Sequence, residues 1–182
     1  MRNCRAAVAI SVLVLLGWPE SGGATGCPVP PGTPGVEAAE QEFARATECI
    51  LQEERAARGL AQLRRAQRLD VAAESHARDM VSRRFFAHVS PAGSRLIDRV
   101  RASRYLRGWP GYELGEILAW GTGSLSSPPS IVGAWLDSPG HRRIVVSPGY
   151  RDVGVAAVAG VPLASDVAGG TYAVVFGRRH RP

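Results

Sequence analysis

The order of apolar and polar positions divides the chain into three kinds of segment. Ala6 to Trp18 is an almost unbroken apolar run. From Val36 the apolar positions recur at helical spacing, with Phe43, Ala46, Ile50 and Ala57 near one face and Gly59 placed to stop the helix. A second helix is predicted from about Gln67 to Arg84, its stripe formed by Leu69, Ala73, His76 or Ala77, and Met80. "FFAHVSPAGS" reads as a loop, and "RLIDRVRASR" as a short helix with Leu96 and Val100 facing in. "SSPPSIVGAWLDS" opens with turn residues and continues as a helix carrying Ile131, Ala134 and Trp135. Two β-type runs, "YRDVGVAAVAG" and "GGTYAVVFG", follow with a Gly/Pro/Ser/Asp loop between them. Helices first and a late hairpin predict an α+β chain or a layered αβα sandwich. No internal repeat or low-complexity tract is present.

The first apolar run changes the picture of where the protein works. Arg2 and Arg5 precede it, and Gly22 and Ala24 supply the small residues of a cleavage site. Residues 1–24 are therefore expected to be a signal peptide, with a Pro/Gly-rich leader over 25–35 and one folded domain over 36–182. No later segment has the length of a membrane span. The expected product is secreted and extracellular, with association to a cell wall as an option. Removing Arg2, Arg5 and Glu20 with the leader lowers the formal charge from +6 to +5. Every cation is arginine, scattered except for the terminal "GRRHRP". No nucleic-acid motif accompanies that charge, so no nucleic-acid partner is expected. A monomer is expected. Cys27 and Cys49 are the two cysteines beyond the signal peptide, and outside the cytoplasm they read as one disulfide. Acylation of Cys27 in "ATGC" is the weaker alternative, because that cysteine lies well past the apolar run.

Chemistry concentrates in a few short segments. His88 follows two phenylalanines in "FFAHVSP". Glu116 sits among Leu114, Ile117, Leu118 and Trp120 in "ELGEILAWG", and a carboxylate buried there needs a partner. A histidine is the natural candidate. Ser138 and Pro139 form a helix start that places His141 in the first turn, where protonation is disfavoured. Tyr172 and Phe176 share one side of a strand and read as core and cleft-wall residues. His76, on an apolar stripe, reads as a structural histidine, and His180 as solvated.

Six segments occur in one order: "ECILQEERAARGLAQL", "AESHARDMVSRRFFAHVSPAG", "GEILAWGTGS", "AWLDSPGHRR", "YRDVGVAAVAG" and "GGTYAVVFG". They resemble the CAP superfamily of cysteine-rich secretory proteins, antigen 5 and pathogenesis-related proteins, in its small secreted bacterial form. The resemblance covers about Glu40 to Gly177. It implies an αβα sandwich with a mainly antiparallel central sheet and a large cleft, which in some members binds zinc or another divalent ion. Carried over, the metal candidates are His88, Glu116 and His141. The place of a second acidic ligand, three positions after Trp135, is Ser138, and Asp137 lies one position earlier. Ser90, Trp135, Asp137, Ser138 and Tyr172 are the expected cleft residues. Ile117 stands where the family has the asparagine of "GEN", and Gln52 and Ile144 stand at two further asparagine places. Their loss is expected to remove amides that fix loops.

The expected function is ligand binding in a His/Glu cleft, with a lipid, glycan or wall component as partner and zinc or another divalent cation as candidate cofactor. The alternative is a hydrolase acting outside the cell. It would use a metal-bound water, or Ser90 with His88 or His141 as base and Glu116 as orienter. The short zinc-protease motif HExxH is absent.

Overall fold

A computed structural model describes residues 26–34, 37–163 and 167–181. The expected signal peptide lies outside the described residues. The elements run α1 (Glu37–Ala56), β1 (Arg64–Arg65), α2 (Gln67–Arg83), α3 (Leu96–Ala102), β2 (Gly111–Thr122), a 3-10 turn (Gly123–Ser126), α4 (Pro128–Asp137), α5 (Pro139–Val145), β3 (Asp152–Ala159) and β4 (Gly169–His180). One four-stranded sheet has the order β1-β3-β4-β2. The β3/β4 and β2/β4 pairs are antiparallel, and the short β1 pairs parallel to β3. This is the expected αβα sandwich.

Alternation along the strands sends side chains to two helical layers. Val153, Val155 and Ala157 of β3 and Tyr172, Val174 and Phe176 of β4 meet Phe43, Leu51, Ile131 and Trp135 of α1 and α4. The intervening Ala156, Val158, Ala173 and Val175 meet Leu69, Ala73, Ala77 and Met80 of α2 and Val100 of α3. Gly154 lets α2 lie directly on β3, because a Cβ there would sit 2.2 Å from the Leu69 carbonyl carbon.

The Cys27–Cys49 disulfide forms as expected and ties the N-terminal segment to α1. Trp135 and Tyr172 do not line a cleft. Both are enclosed in the α1/α4 layer, where Trp135 Nε1 donates to the Leu118 carbonyl (3.0 Å) and Tyr172 Oη to the Ser126 carbonyl (2.5 Å). Large rings with one polar atom each can be buried completely where the core supplies a carbonyl for that atom. Gln52 also departs from expectation. Its amide donates to the Leu63 carbonyl (2.6 Å) and accepts from the Leu63 N–H (2.9 Å), so one of the loop-fixing amides is present as glutamine. Ile117 and Ile144 instead join the apolar core.

Candidate functional site

Glu116 sits on β2, on the side that faces α2 and α3, and its side chain is 3% exposed. Both carboxylate oxygens have partners. Oε1 accepts from Arg99 Nη2 (2.7 Å), and Oε2 accepts from His88 Nδ1 (2.8 Å). Burial alone would push this carboxyl up, but the His88 hydrogen bond and the Arg99 charge outweigh it and hold it below the usual carboxylate range. Glu116 is therefore an anion inside the fold. Because a carboxylate can only accept, the neutral His88 ring carries its proton on Nδ1 and leaves a lone pair on Nε2.

The loop bearing His88 is held by two further buried side chains. His76 Nε2 donates to the Ala87 carbonyl (2.9 Å). Arg99 Nη2 also reaches the His88 carbonyl (3.2 Å), while Nη1 donates to the Ser94 carbonyl (3.0 Å). Burial, first of all, pushes His76 below the ordinary histidine value, so it works as a neutral donor. His76 Nδ1 and Arg99 Nε have no hydrogen-bond partner among the described residues. The loop's own turn is closed by the Ser90 N–H to the Ser94 carbonyl (3.0 Å) and the Ser94 N–H to Ser90 Oγ (3.1 Å). These anchors hold His88 with its side chain 57% exposed. Phe86 and Val89, its close neighbours in the chain, are also exposed.

His141 occupies the third position of α5, behind Ser138 and Pro139 as the sequence predicts. Ser138 makes no side-chain cap hydrogen bond. The far end of α5 is fixed by the buried Arg55, whose Nη1 donates to the carbonyls of Val145 (2.7 Å) and Ser147 (2.9 Å). Burial, and then the charge of His88, push His141 below the ordinary histidine range. Both causes favour the neutral form of the His141 ring.

Ligand atoms of His88, Glu116 and His141 do not meet as a three-donor metal group. Among the described residues the group with all ligand atoms within 4.8 Å is Cys27, Cys49 and Glu53, and its sulfurs are already joined in the disulfide. Glu116 already accepts one hydrogen bond at each oxygen, from His88 and from Arg99. Its place is that of the carboxylate behind an imidazole, which fixes tautomer and ring orientation. Ser90 is 5% exposed, and its hydroxyl is engaged by Ser94. Asp137 is exposed at the end of α4.

Arg99 is the residue of this cluster that the sequence reading missed. Its signal was available, since Leu96, Arg99 and Val100 follow the inward spacing of α3 and an inward cation beside a buried acid is a pair.

The family model for "CAP: Cysteine-rich secretory protein family" matches residues 51–170, a span that contains His76, His88, Arg99, Glu116 and His141. The chain belongs to the CAP family. A curated relative, the uncharacterised protein YkwD of Bacillus subtilis (strain 168), is 29% identical over 102 residues, or 56% of this chain and 37% of its own length. Among solved structures, this CAP chain is similar to an extracellular protein containing a SCP domain from Bacillus anthracis, with a TM-score of 0.63, 23% identity and coverage of 80% of this chain and 44% of that one. It is also similar to an outer surface protein of Borrelia burgdorferi, with a TM-score of 0.62, 21% identity and coverage of 77% of this chain and 95% of that one. At these identities the two structures bear on the CAP fold alone. The chain spans less than half the length of the curated relative and of the Bacillus anthracis protein. No helix of the described residues is long and apolar enough to cross a membrane.

Proposed function

We propose that this chain is an exported CAP-domain binding protein whose ligand site is the surface around His88 and His141, and that the ligand is a lipid, glycan or wall component. The observation that carries this reading is the clamp on Glu116. A buried carboxylate held by Arg99 fixes His88 in one tautomer and presents the lone pair of Nε2 at the surface. Such preorganisation lowers the ordering cost of binding. Exposed Phe86 and Val89 beside the ring add apolar contact area, which suits a ligand with both polar and apolar parts. The disulfide and the extracellular or outer-surface descriptions of two structural neighbours support export.

A divalent cation held at this surface would use His88 Nε2 and His141, would take its remaining ligands from solvent or the bound molecule, and would act as a Lewis acid. Glu116 would orient His88 and not ligate. Hydrolysis with Ser90 as nucleophile loses support, because that hydroxyl is buried and spent on the loop turn.

The test compares the disulfide-intact protein with a His88→Ala/His141→Ala variant. Three probes are used: zinc chloride by calorimetry, a fluorescent fatty acid, and co-sedimentation with purified bacterial wall fragments. The reading predicts that the wild type binds at least one probe and that the variant binds it about tenfold or more weakly, a loss of about 1.4 kcal/mol. Equal binding by both proteins would contradict it. Release of soluble fragments from wall material, lost in Glu116→Gln, would move the assignment to a hydrolase.

A further inference from the structure

Two arginine clusters that are far apart in sequence meet at one end of the sheet. The first lies in "RASRYLRGWP", at the end of α3 and the turns after it, and the second is the terminal "GRRHRP". Pairing of β2 with β4 sets Gly111 opposite His180, Tyr112 opposite Arg179 and Glu113 opposite Arg178. Tyr105 locks the two clusters together. It is 1% exposed, donates through Oη to Asp152 (2.6 Å) and lies 4.3 Å beneath the Arg179 guanidinium. The approach requires Gly177, where a Cβ would lie 2.6 Å from the Tyr105 hydroxyl. Trp109 then has two guanidinium groups over its ring, Arg179 at 5.2 Å and Arg181 at 5.4 Å.

Beside this platform is an open groove of about 720 Å³, lined by Arg101, Arg104, Arg107, Trp109 and Tyr112 among others, with no carboxylate in the lining. The acids nearby are committed elsewhere. Glu113 pairs with Arg178, Asp98 with Arg95, and Asp152 with Arg64 and Arg179. Arg101, Arg104 and Arg107 are exposed, and no ion pair joins their guanidinium groups to another of the described residues. Asp98, paired with Arg95, also feels the charge of Arg101, but three guanidinium groups around one concave surface without a carboxylate in its lining still create a local field that concentrates anions. Guanidinium forks match sulfate, phosphate and carboxylate oxygens bidentately. The exposed Tyr112 offers a flat apolar ring of the kind a sugar ring covers.

We propose that this groove binds an anionic polysaccharide, with Arg101, Arg104 and Arg107 taking the acidic groups and Tyr112 taking a sugar face. Tyr112 and Glu116 lie on the same side of β2, about 13 Å apart at ~3.3 Å per residue. The groove is therefore separate from the His88 surface but lies on the same side of the sheet, and α3 supplies both Arg99 to Glu116 and Arg101 to the groove. The proposal does not depend on what the His88 surface binds.

The experiment measures binding of dextran sulfate, uncharged dextran and inorganic polyphosphate to the full chain at several salt concentrations. A triple variant, Arg101→Ala/Arg104→Ala/Arg107→Ala, is compared with a charge-matched control, Arg58→Ala/Arg83→Ala/Arg84→Ala. The expected result is roughly tenfold weaker dextran sulfate binding and a shallower salt dependence in the groove variant, with the control within about twofold of the wild type. Tyr112→Ala should weaken dextran sulfate binding and leave polyphosphate binding unchanged. Equal losses in the two triple variants would overturn the proposal, since they would reduce it to net charge. So would vesicles of anionic phospholipid binding through the same arginines while dextran sulfate does not.

Discussion

The two faces of the sheet solve different problems. The face toward α1, α4 and α5 is a mainly apolar interior built from Phe43, Leu51, Ile131, Trp135, Tyr172 and Phe176, where Trp135, Tyr172 and the buried Arg55 each spend their polar atoms on backbone carbonyls. The face toward α2 and α3 is built largely from alanine and valine, and it encloses Glu116, Arg99, His76 and Asp152. Small apolar residues leave room for charged side chains, and the charged side chains then need one another. Stability therefore sits mainly on the first face, and positional control of the His88 surface sits on the second.

Trp135→Ala is the strongest challenge to that division. It should cost about 4 kcal/mol in denaturant unfolding by removing a fully buried ring, while leaving the His88–Glu116 hydrogen bond in place in the folded fraction. A folded Trp135→Ala protein with a disrupted His88 environment would show that the two faces are not separable. Arg99→Met should cost about 3 kcal/mol, because Glu116 then keeps its burial but loses its cation. Arg99→Met combined with Glu116→Gln should recover much of that loss, since the charge is removed with its partner.

The same pair sets an acid limit. A carboxyl held below its ordinary value of 4.5 contributes stability that is complete above that value and is lost as pH falls through and below it. Glu116→Gln should therefore flatten the stability profile in that acid range, as read by denaturant unfolding across pH. The smallest effect concerns His141. Its depressed value takes nothing from stability above the ordinary histidine value of 6.5 and subtracts a little as pH falls below it. A proton NMR titration should place its midpoint below 6.5, and His88→Ala should move it upward by removing one of the two causes.

Much of the first face was legible in the sequence. The stripe Phe43, Ala46, Ile50 and the alternation in "GGTYAVVFG" predict α1 and β4, and Ser138-Pro139 predicts the start of α5. β2 was less legible. It is covered on both sides in its middle, so Glu116, Ile117 and Leu118 are all buried and the period of two disappears. β1 is two arginines, a pattern no strand signal would flag. At the candidate site the need of Glu116 for a partner could be read from its apolar neighbours, and His88 from its loop. Arg99 was hidden because an arginine on a short helix usually faces water. Tyr172 was read as both core and cleft wall, and its complete burial bears out the core part; Trp135 was read as a cleft residue, and it is enclosed because the Leu118 carbonyl meets its one polar atom inside the core.

The account turns on Glu116 being an anion that orients His88, and ¹⁵N NMR of the imidazole reads this directly. Above neutral pH the wild type should show His88 protonated on Nδ1 with Nε2 bare, and Glu116→Gln should erase or weaken that preference. His88 protonated on Nε2 in the wild type, or an unchanged ring in Glu116→Gln, would contradict it.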